Sequence, residues 1–155
     1  MINDNEKWML NALNESRKAL DDDEVPIGAI IVKDGNIIGR GYNQVERLKD
    51  PTAHAEMIAI TSAANSIGDW RLNECTLYVT KEPCSMCYGA IVNSRIKNIF
   101  FGLHDQENGF VKLNKSNDMF KNHLKYIEGG ILEFESKKII QDFFLKKRKS
   151  DKLQQ

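Results

Sequence analysis

The order of its local patterns restricts this chain more than any other feature: strand-like runs alternate with helix-like ones. Cys75 to Thr80 alternates, placing Cys75, Leu77 and Val79 on one face, and reads as a strand. A helix is predicted to open at Pro83, where a missing N–H costs nothing, and to run to about Asn93. The apolar run Ile99 to Gly102 follows as the next strand. Strands separated by helices imply a mainly parallel sheet covered on both sides. Upstream, Ile27 to Val32 and Ile37 to Tyr42 flank Asp34-Gly35, a strong turn signal, and predict a hairpin at one margin. Leu124 to Ile127 supplies a short fifth strand. Residues 5–20, with Trp8, Met9, Ala12, Leu13, Ala19 and Leu20 at mostly helical spacing, form a first helix. Residues 51–66 form another, with Asp50 available as N-cap and Pro51 at its first position. Segment 103–123 is polar and irregular, and Phe134 to Lys149 reads as a closing helix that ends in a basic tail. The expectation is an α/β architecture: a mixed five-stranded sheet with helices on both faces.

Length and charge narrow the setting. At 155 residues without a linker, repeat or low-complexity tract, the chain reads as one domain, 1–155, with a basic and polar tail at about 146–155. Twenty-two Lys and Arg balance 22 Asp and Glu, so any nucleic-acid partner must be held by a local patch rather than by net charge. A basic n-region followed by an apolar segment is missing at the start, and no apolar run reaches the ~18 residues of a bilayer span. The expected location is the cytoplasm, with no membrane partner. Three cysteines, two of them spaced as Cys84-Ser85-Met86-Cys87, suit metal or redox chemistry in a reducing compartment.

His54-Ala55-Glu56 at one helix start and Pro83-Cys84-Ser85-Met86-Cys87 at another carry the chemistry. Two cysteines three apart share a helical face, and a helix N-terminus favours thiolates. With His54 they make three ligands and leave one position of a tetrahedral zinc open, as in catalytic sites. Zinc lowers the pKa of a water it holds to about 7, and Glu56 is then the proton shuttle. Helical positions i and i+2 point to nearly opposite sides, so His54 and Glu56 meet only if the helix end is aimed at the site. A thioredoxin-type pair needs no His-x-Glu. A structural zinc needs a fourth ligand, which Cys75 could supply, although its strand face favours burial. His104 and His123 lack metal-type spacing. Glu82 is taken as an N-cap or an ion-pair partner.

These residues match H-x-E…P-C-x-x-C, the signature of zinc-dependent nucleobase deaminases. Within that superfamily the chain resembles the bacterial tRNA adenosine deaminases along nearly its whole length. The resemblance is carried by Glu24-Val25-Pro26-Ile27-Gly28-Ala29, Gly41-Tyr42-Asn43, Asp50 through Glu56, and Thr76 through Cys84. It continues in Ser94-Arg95-Ile96, Phe101-Gly102, Asn122-His123 and Asp142-Phe143-Phe144. It implies a three-layer α/β/α cytidine-deaminase-like fold, one Zn2+ per chain on His54, Cys84 and Cys87, and Glu56 as the catalytic proton carrier. It further implies that Asn43 bonds the target base, that Ile27 walls the base pocket and that the Ala55 N–H contacts the flipped nucleoside. Asn122, His123 and Phe144 take further substrate contacts.

The implied reaction converts the wobble adenosine of a tRNA anticodon loop to inosine, in a homodimer. Gly109-Phe110-Val111-Lys112-Leu113 departs from the Gly/Ala-rich loop usual in that family. The alternatives are a free-base deaminase such as guanine deaminase, which shares both zinc motifs, and a noncatalytic structural-zinc module that binds RNA. Glu56 is not needed to hold a metal, which speaks against the last. Lys146-Lys147-Arg148-Lys149 would attract phosphates if it lies beside the pocket.

Overall fold

The computed structural model describes residues 1–113 and 124–155. Helix α1 (Asp4–Asp21) begins at a capping box, in which the Asn3 side chain takes the Glu6 N–H at 2.8 Å and Glu6 takes the Asn3 N–H at 3.2 Å. Strands β1 (Gly28–Lys33) and β2 (Asn36–Tyr42) form the predicted hairpin. Its turn has positive φ at both Asp34 (49°) and Gly35 (72°), the backbone that twists with its strands and that Gly adopts freely. A short helix, α2 (Val45–Leu48), leads into α3 (Ala55–Ile67), then β3 (Thr76–Lys81), α4 (Ser85–Asn93) and β4 (Asn98–Leu103). After α5 (Phe110–Leu113), strand β5 (Tyr126–Glu128) and helix α6 (Glu133–Leu153) complete the described chain.

The sheet order is β2-β1-β3-β4-β5. The β1 strand runs antiparallel to both β2 and β3, whereas β3, β4 and β5 are parallel, so the hairpin does occupy one margin of a mixed sheet. Alternation divides the strands between two cores. Ala29, Ile31, Leu77, Val79, Ile99 and Phe101 face the layer of α3 and α4, while Ile30, Val32 and Tyr78 pack under α1 together with Ile131, just before α6. This is the three-layer α/β/α arrangement of the expected fold class. Gly41 brings the hairpin close to α3: a Cβ there would collide with the backbone at Ala55 and Ala59. The β2 strand therefore lies directly against the N-terminal turn of α3.

Four boundaries differ from expectation by two residues or more. Helix α3 begins at Ala55 rather than Pro51, because the Asp50 carboxylate caps a local turn instead, accepting from the Thr52 N–H and hydroxyl at 2.8 and 2.7 Å. Helix α4 begins at Ser85, with Cys84 as its N-cap. The fifth strand lies two residues late, at Tyr126–Glu128. The segment read as a tail is helical through Leu153, since no Gly or Pro interrupts a run of residues that tolerate the helix. Among the described residues no helix is long and apolar enough to cross a membrane.

Candidate active site

Both sequence motifs occupy the same structural place: an N-cap and the first turn behind it. His54 is the N-cap of α3, with extended backbone (φ −73°, ψ 155°), and Glu56 is the second residue of the helix. Cys84 is the N-cap of α4 (φ −75°, ψ 173°) and Cys87 the third residue. Because His54 lies outside the helix, its direction is free of the helical i,i+2 divergence that separates it from Glu56 on paper. The two helix ends converge. His54 Nδ1 lies 3.7 Å from Cys84 Sγ and 3.5 Å from Cys87 Sγ, and the three ligand atoms all fall within 4.8 Å of one another.

Those separations can be tested against a metal. Sulfur at ~2.3 Å and imidazole nitrogen at ~2.0–2.1 Å on a tetrahedral zinc stand ~3.6 Å apart. The donor set therefore fits zinc in both chemistry and spacing. Cys75 does not join it: buried at the opposite end of β3, its thiol lies 3.5 Å from the Asn73 carbonyl. Nor does His104, whose Nδ1 pairs with Glu133 at 3.1 Å.

The electrostatics of the cluster are strongly coupled. A hydrogen bond from the Cys87 thiol, then one from His54, pulls the Cys84 thiol down to about 3. Cys87 is pushed far up by the Cys84 sulfur it serves and by burial. The Cys84 hydrogen bond raises His54. Burial raises the carboxyl of Glu56, which is 4% exposed and bonded to the Cys87 thiol. Burial thus favours the protonated form of this carboxyl more than water would, a bias suited to a group that must hold a proton. A divalent cation at the sulfurs would reverse the bias on Cys87, because a coordinating thiol is deprotonated outright.

The cluster opens into a cavity of about 430 Å³, within the ordinary range for small-ligand sites. Asn43, Ile27, Ala55 and Phe144 line it. Asn43 is 8% exposed, and its amide donates to the Val25 carbonyl at 3.3 Å. Its Oδ1 is buried and has no hydrogen-bond partner among the described residues, leaving an acceptor available to a ligand. Ala55 is the first residue of α3, where helix N–H groups lack intrahelical partners. Phe144 is partly exposed at the mouth, edge-on to Phe143. Asn122 and His123 lie outside the described residues.

Other wall residues escaped the sequence reading. Glu24, fully buried, accepts the backbone N–H of Arg47 at 2.6 Å and of Glu46 at 3.2 Å, which fixes α2 against the cavity. Its place in the Glu24-Val25-Pro26 motif was the only available signal. Lys81 and Asp105 come from two further segments, whereas Lys147 belongs to the basic run expected to attract phosphates if it lay beside the pocket, and it does line the cavity. Among the described residues Glu82 is neither the N-cap of α4, which is Cys84, nor an ion-pair partner. It is buried, and burial raises its carboxyl against the opposing pull of the Asp105 and Val111 N–H groups, with Oε2 unpartnered. The unusual 109–113 segment docks on α4: the Phe110 N–H bonds the Pro83 carbonyl at 3.0 Å, and its ring stacks on Tyr88 at 4.5 Å.

A His/Cys/Cys donor set, an adjacent buried carboxyl and a cavity beside them on an α/β/α fold suit a deaminase, and the MafB19-like deaminase family matches residues 3–148. The tRNA-specific adenosine deaminase of Haemophilus influenzae is 42% identical over 152 residues, covering 96% of this chain and 88% of its own. A solved structure from work on A-to-I editing by tRNA:A34 deaminases at the wobble position of transfer RNA superimposes with a TM-score of 0.80 at 40% identity, over 86% of this chain and 98% of that one. Guanine deaminase from Bacillus subtilis matches with a TM-score of 0.62 at 36% identity, over 76% of this chain and 73% of its own. The chain belongs to this deaminase family and, within it, to the tRNA-specific adenosine deaminases.

Proposed function

We propose that the protein is a zinc-dependent hydrolase that converts the wobble adenosine of a tRNA anticodon to inosine. The observation that carries the chemistry is the convergence of His54, Cys84 and Cys87 beside the buried carboxyl of Glu56. The substrate rests on the relatives: the more similar sequence and the better-superimposing structure are described as tRNA deaminases, and guanine deaminase matches less well.

One zinc would be held by His54, Cys84 and Cys87. When bound, it supplies the Lewis acidity that brings a water's pKa to about 7. Glu56 accepts the proton of the attacking water and passes it to the exocyclic amine. An oxygen bond forms at C6 of the base, the C6–N bond breaks, and ammonia leaves. The unpartnered Oδ1 of Asn43 and the N–H of Ala55 orient the nucleoside, with Ile27 as the apolar wall. Phe144 stacks on a neighbouring unpaired base, and Asn122 and His123 add contacts to the loop. An anticodon loop is already single-stranded, so extruding one base costs only a few kcal/mol. The working form is a cytoplasmic homodimer.

The test is a panel: zinc-loaded protein incubated separately with an anticodon stem-loop carrying a wobble adenosine, with adenosine, with guanine and with cytidine, scoring ammonia and the product base. Inosine should form in the stem-loop much faster than any free compound reacts. Efficient guanine turnover with an inert stem-loop would replace the tRNA reading with the free-base one. Zinc binding without any turnover would point to a noncatalytic module.

A further inference from the structure

Two lysines from different elements line the cavity, and each rests on a carboxylate that also lines it. Lys81 is the last residue of β3, at the carboxyl end of the parallel strands, where ligands of open α/β sheets bind. Its Nζ lies 3.1 Å from Asp105 Oδ2. The other oxygen of Asp105 is engaged by the loop, accepting the N–H groups of Glu107 and Asn108 at 3.1 and 3.0 Å. The carboxylate is thus fixed, and the lysine is the partner on a long, flexible stem. Lys147 of α6 lies 2.9 Å from Asp23 Oδ2, a carboxylate 80% exposed, and over the Phe143 ring at 5.5 Å.

A free nucleobase is uncharged and gives these cations nothing to bind. A nucleotide within an RNA strand carries a phosphate on each side of the extruded base. Among the described residues these two are the Lys or Arg side chains that line the cavity; apart from the His54 and Cys84 donors, its other ionisable groups are carboxylates, of which Glu24 is already committed to α2. The Lys147–Asp23 pair faces solvent, and such pairs are weak, so exchanging that carboxylate for a phosphate costs little; the Lys81–Asp105 pair is partly buried (33% and 14% exposed), but Asp105 keeps the loop N–H groups when the lysine leaves it.

We propose that Lys81 and Lys147 form a two-point clamp on the phosphates that flank the inserted nucleotide, each leaving its resting carboxylate when RNA binds. The clamp rests on the tRNA reading above, and it explains how a charge-balanced chain recognises a polyanion at the pocket itself.

The experiment measures equilibrium binding of the zinc-loaded protein to the anticodon stem-loop across salt concentrations, for wild type, Lys81→Gln, Lys147→Gln, and the charge-retaining Lys81→Arg and Lys147→Arg. It is repeated with stem-loops in which the phosphate 5′ or 3′ of the wobble adenosine is an uncharged methylphosphonate. Each Gln variant should lower the log–log salt slope by ~0.7, and the Arg variants should restore it. Each methylphosphonate should weaken wild-type binding roughly 2- to 10-fold yet add little to the loss in the lysine variant that faces it. Independent, additive losses at both phosphates overturn the clamp, and coupling at only one lysine overturns its two-point form. A stem-loop that neither binds nor reacts overturns the tRNA reading and the clamp together. One that binds and reacts while neither lysine couples overturns the clamp alone.

Discussion

On the proposed mechanism Glu56 and the two cysteines have different duties, and single-residue changes separate them. Glu56 bonds the Cys87 thiol but is not needed to complete the three-donor group. Glu56→Gln should therefore retain zinc, by elemental analysis, while single-turnover inosine formation falls ~10²- to 10⁴-fold, the usual worth of a placed proton carrier. Near-normal turnover in a folded, zinc-loaded variant would remove Glu56 from the mechanism. Cys84 makes a pH-dependent prediction. Its folded-state pKa of about 3 lies below the ordinary thiol value, so after zinc is stripped it stays a thiolate throughout the neutral range. Alkylation of stripped protein at Cys84 should be nearly flat from pH 5 to 8, where an unperturbed thiol speeds up about tenfold per unit. A tenfold-per-unit rise mapped to Cys84 would contradict the hydrogen bonds drawn from Cys87 and His54. Chemical type made these residues legible in the sequence, because a His-x-Glu and a Cys-x-x-Cys at two helix starts have few other uses. Lys81 and Asp105 were not legible. Lysine and aspartate are common on every surface, and only the parallel pairing of β3 with β4 sets the two side by side at the cavity.

At the scale of elements, the placement of α3 decides whether the site exists. Its start was misread by four residues because Asp50-Pro51 has the composition of an N-cap followed by a first helical residue, while the Asp50 carboxylate is spent on Thr52. The shift carries His54 out of the helix and so lets it converge with Glu56. The contact of β2 with the start of α3 holds that geometry, and Gly41→Ala tests it. An added Cβ would press chiefly on backbone, at Ala55 and Ala59, with the Ile58 Cβ beside them. Overpacking should cost about 1–3 kcal/mol. In thermal unfolding that is roughly 2–4 °C for each kcal/mol in a chain of this size. Turnover should fall by a larger factor than stability alone explains, since the displaced turn carries both His54 and Glu56. An unchanged melting temperature would show that the hairpin gives way freely at this contact. The hairpin itself was legible because Asp-Gly suits a tight turn with positive φ at both positions. Helix α6 was read short because its last two turns are almost wholly polar and carry no apolar period by which to follow them.

Across the whole molecule, the cluster ties together two segments thirty residues apart in sequence, since His54 and Cys84 cap different helices over one sheet. A metal that binds only the folded arrangement stabilises it by mass action, about 4.1 kcal/mol when its free concentration is a thousand times Kd. Chelation should therefore lower the melting temperature of the wild type by several degrees and leave that of Cys87→Ala nearly unmoved; equal shifts in the two would place the stabilising ion elsewhere. The β1–β2 hairpin has a further consequence for anyone who wishes to alter this chain. Both of its feet stand in the pocket wall, where the Asn43 N–H bonds the Ile27 carbonyl at 3.0 Å. Its turn lies the length of a six-residue strand away, about 20 Å, in solvent. Asp34 and Gly35 therefore form a natural splice point: a guest domain or affinity handle inserted there would lengthen the molecule at the end remote from the reacting base, leaving the mouth of the pocket clear for RNA.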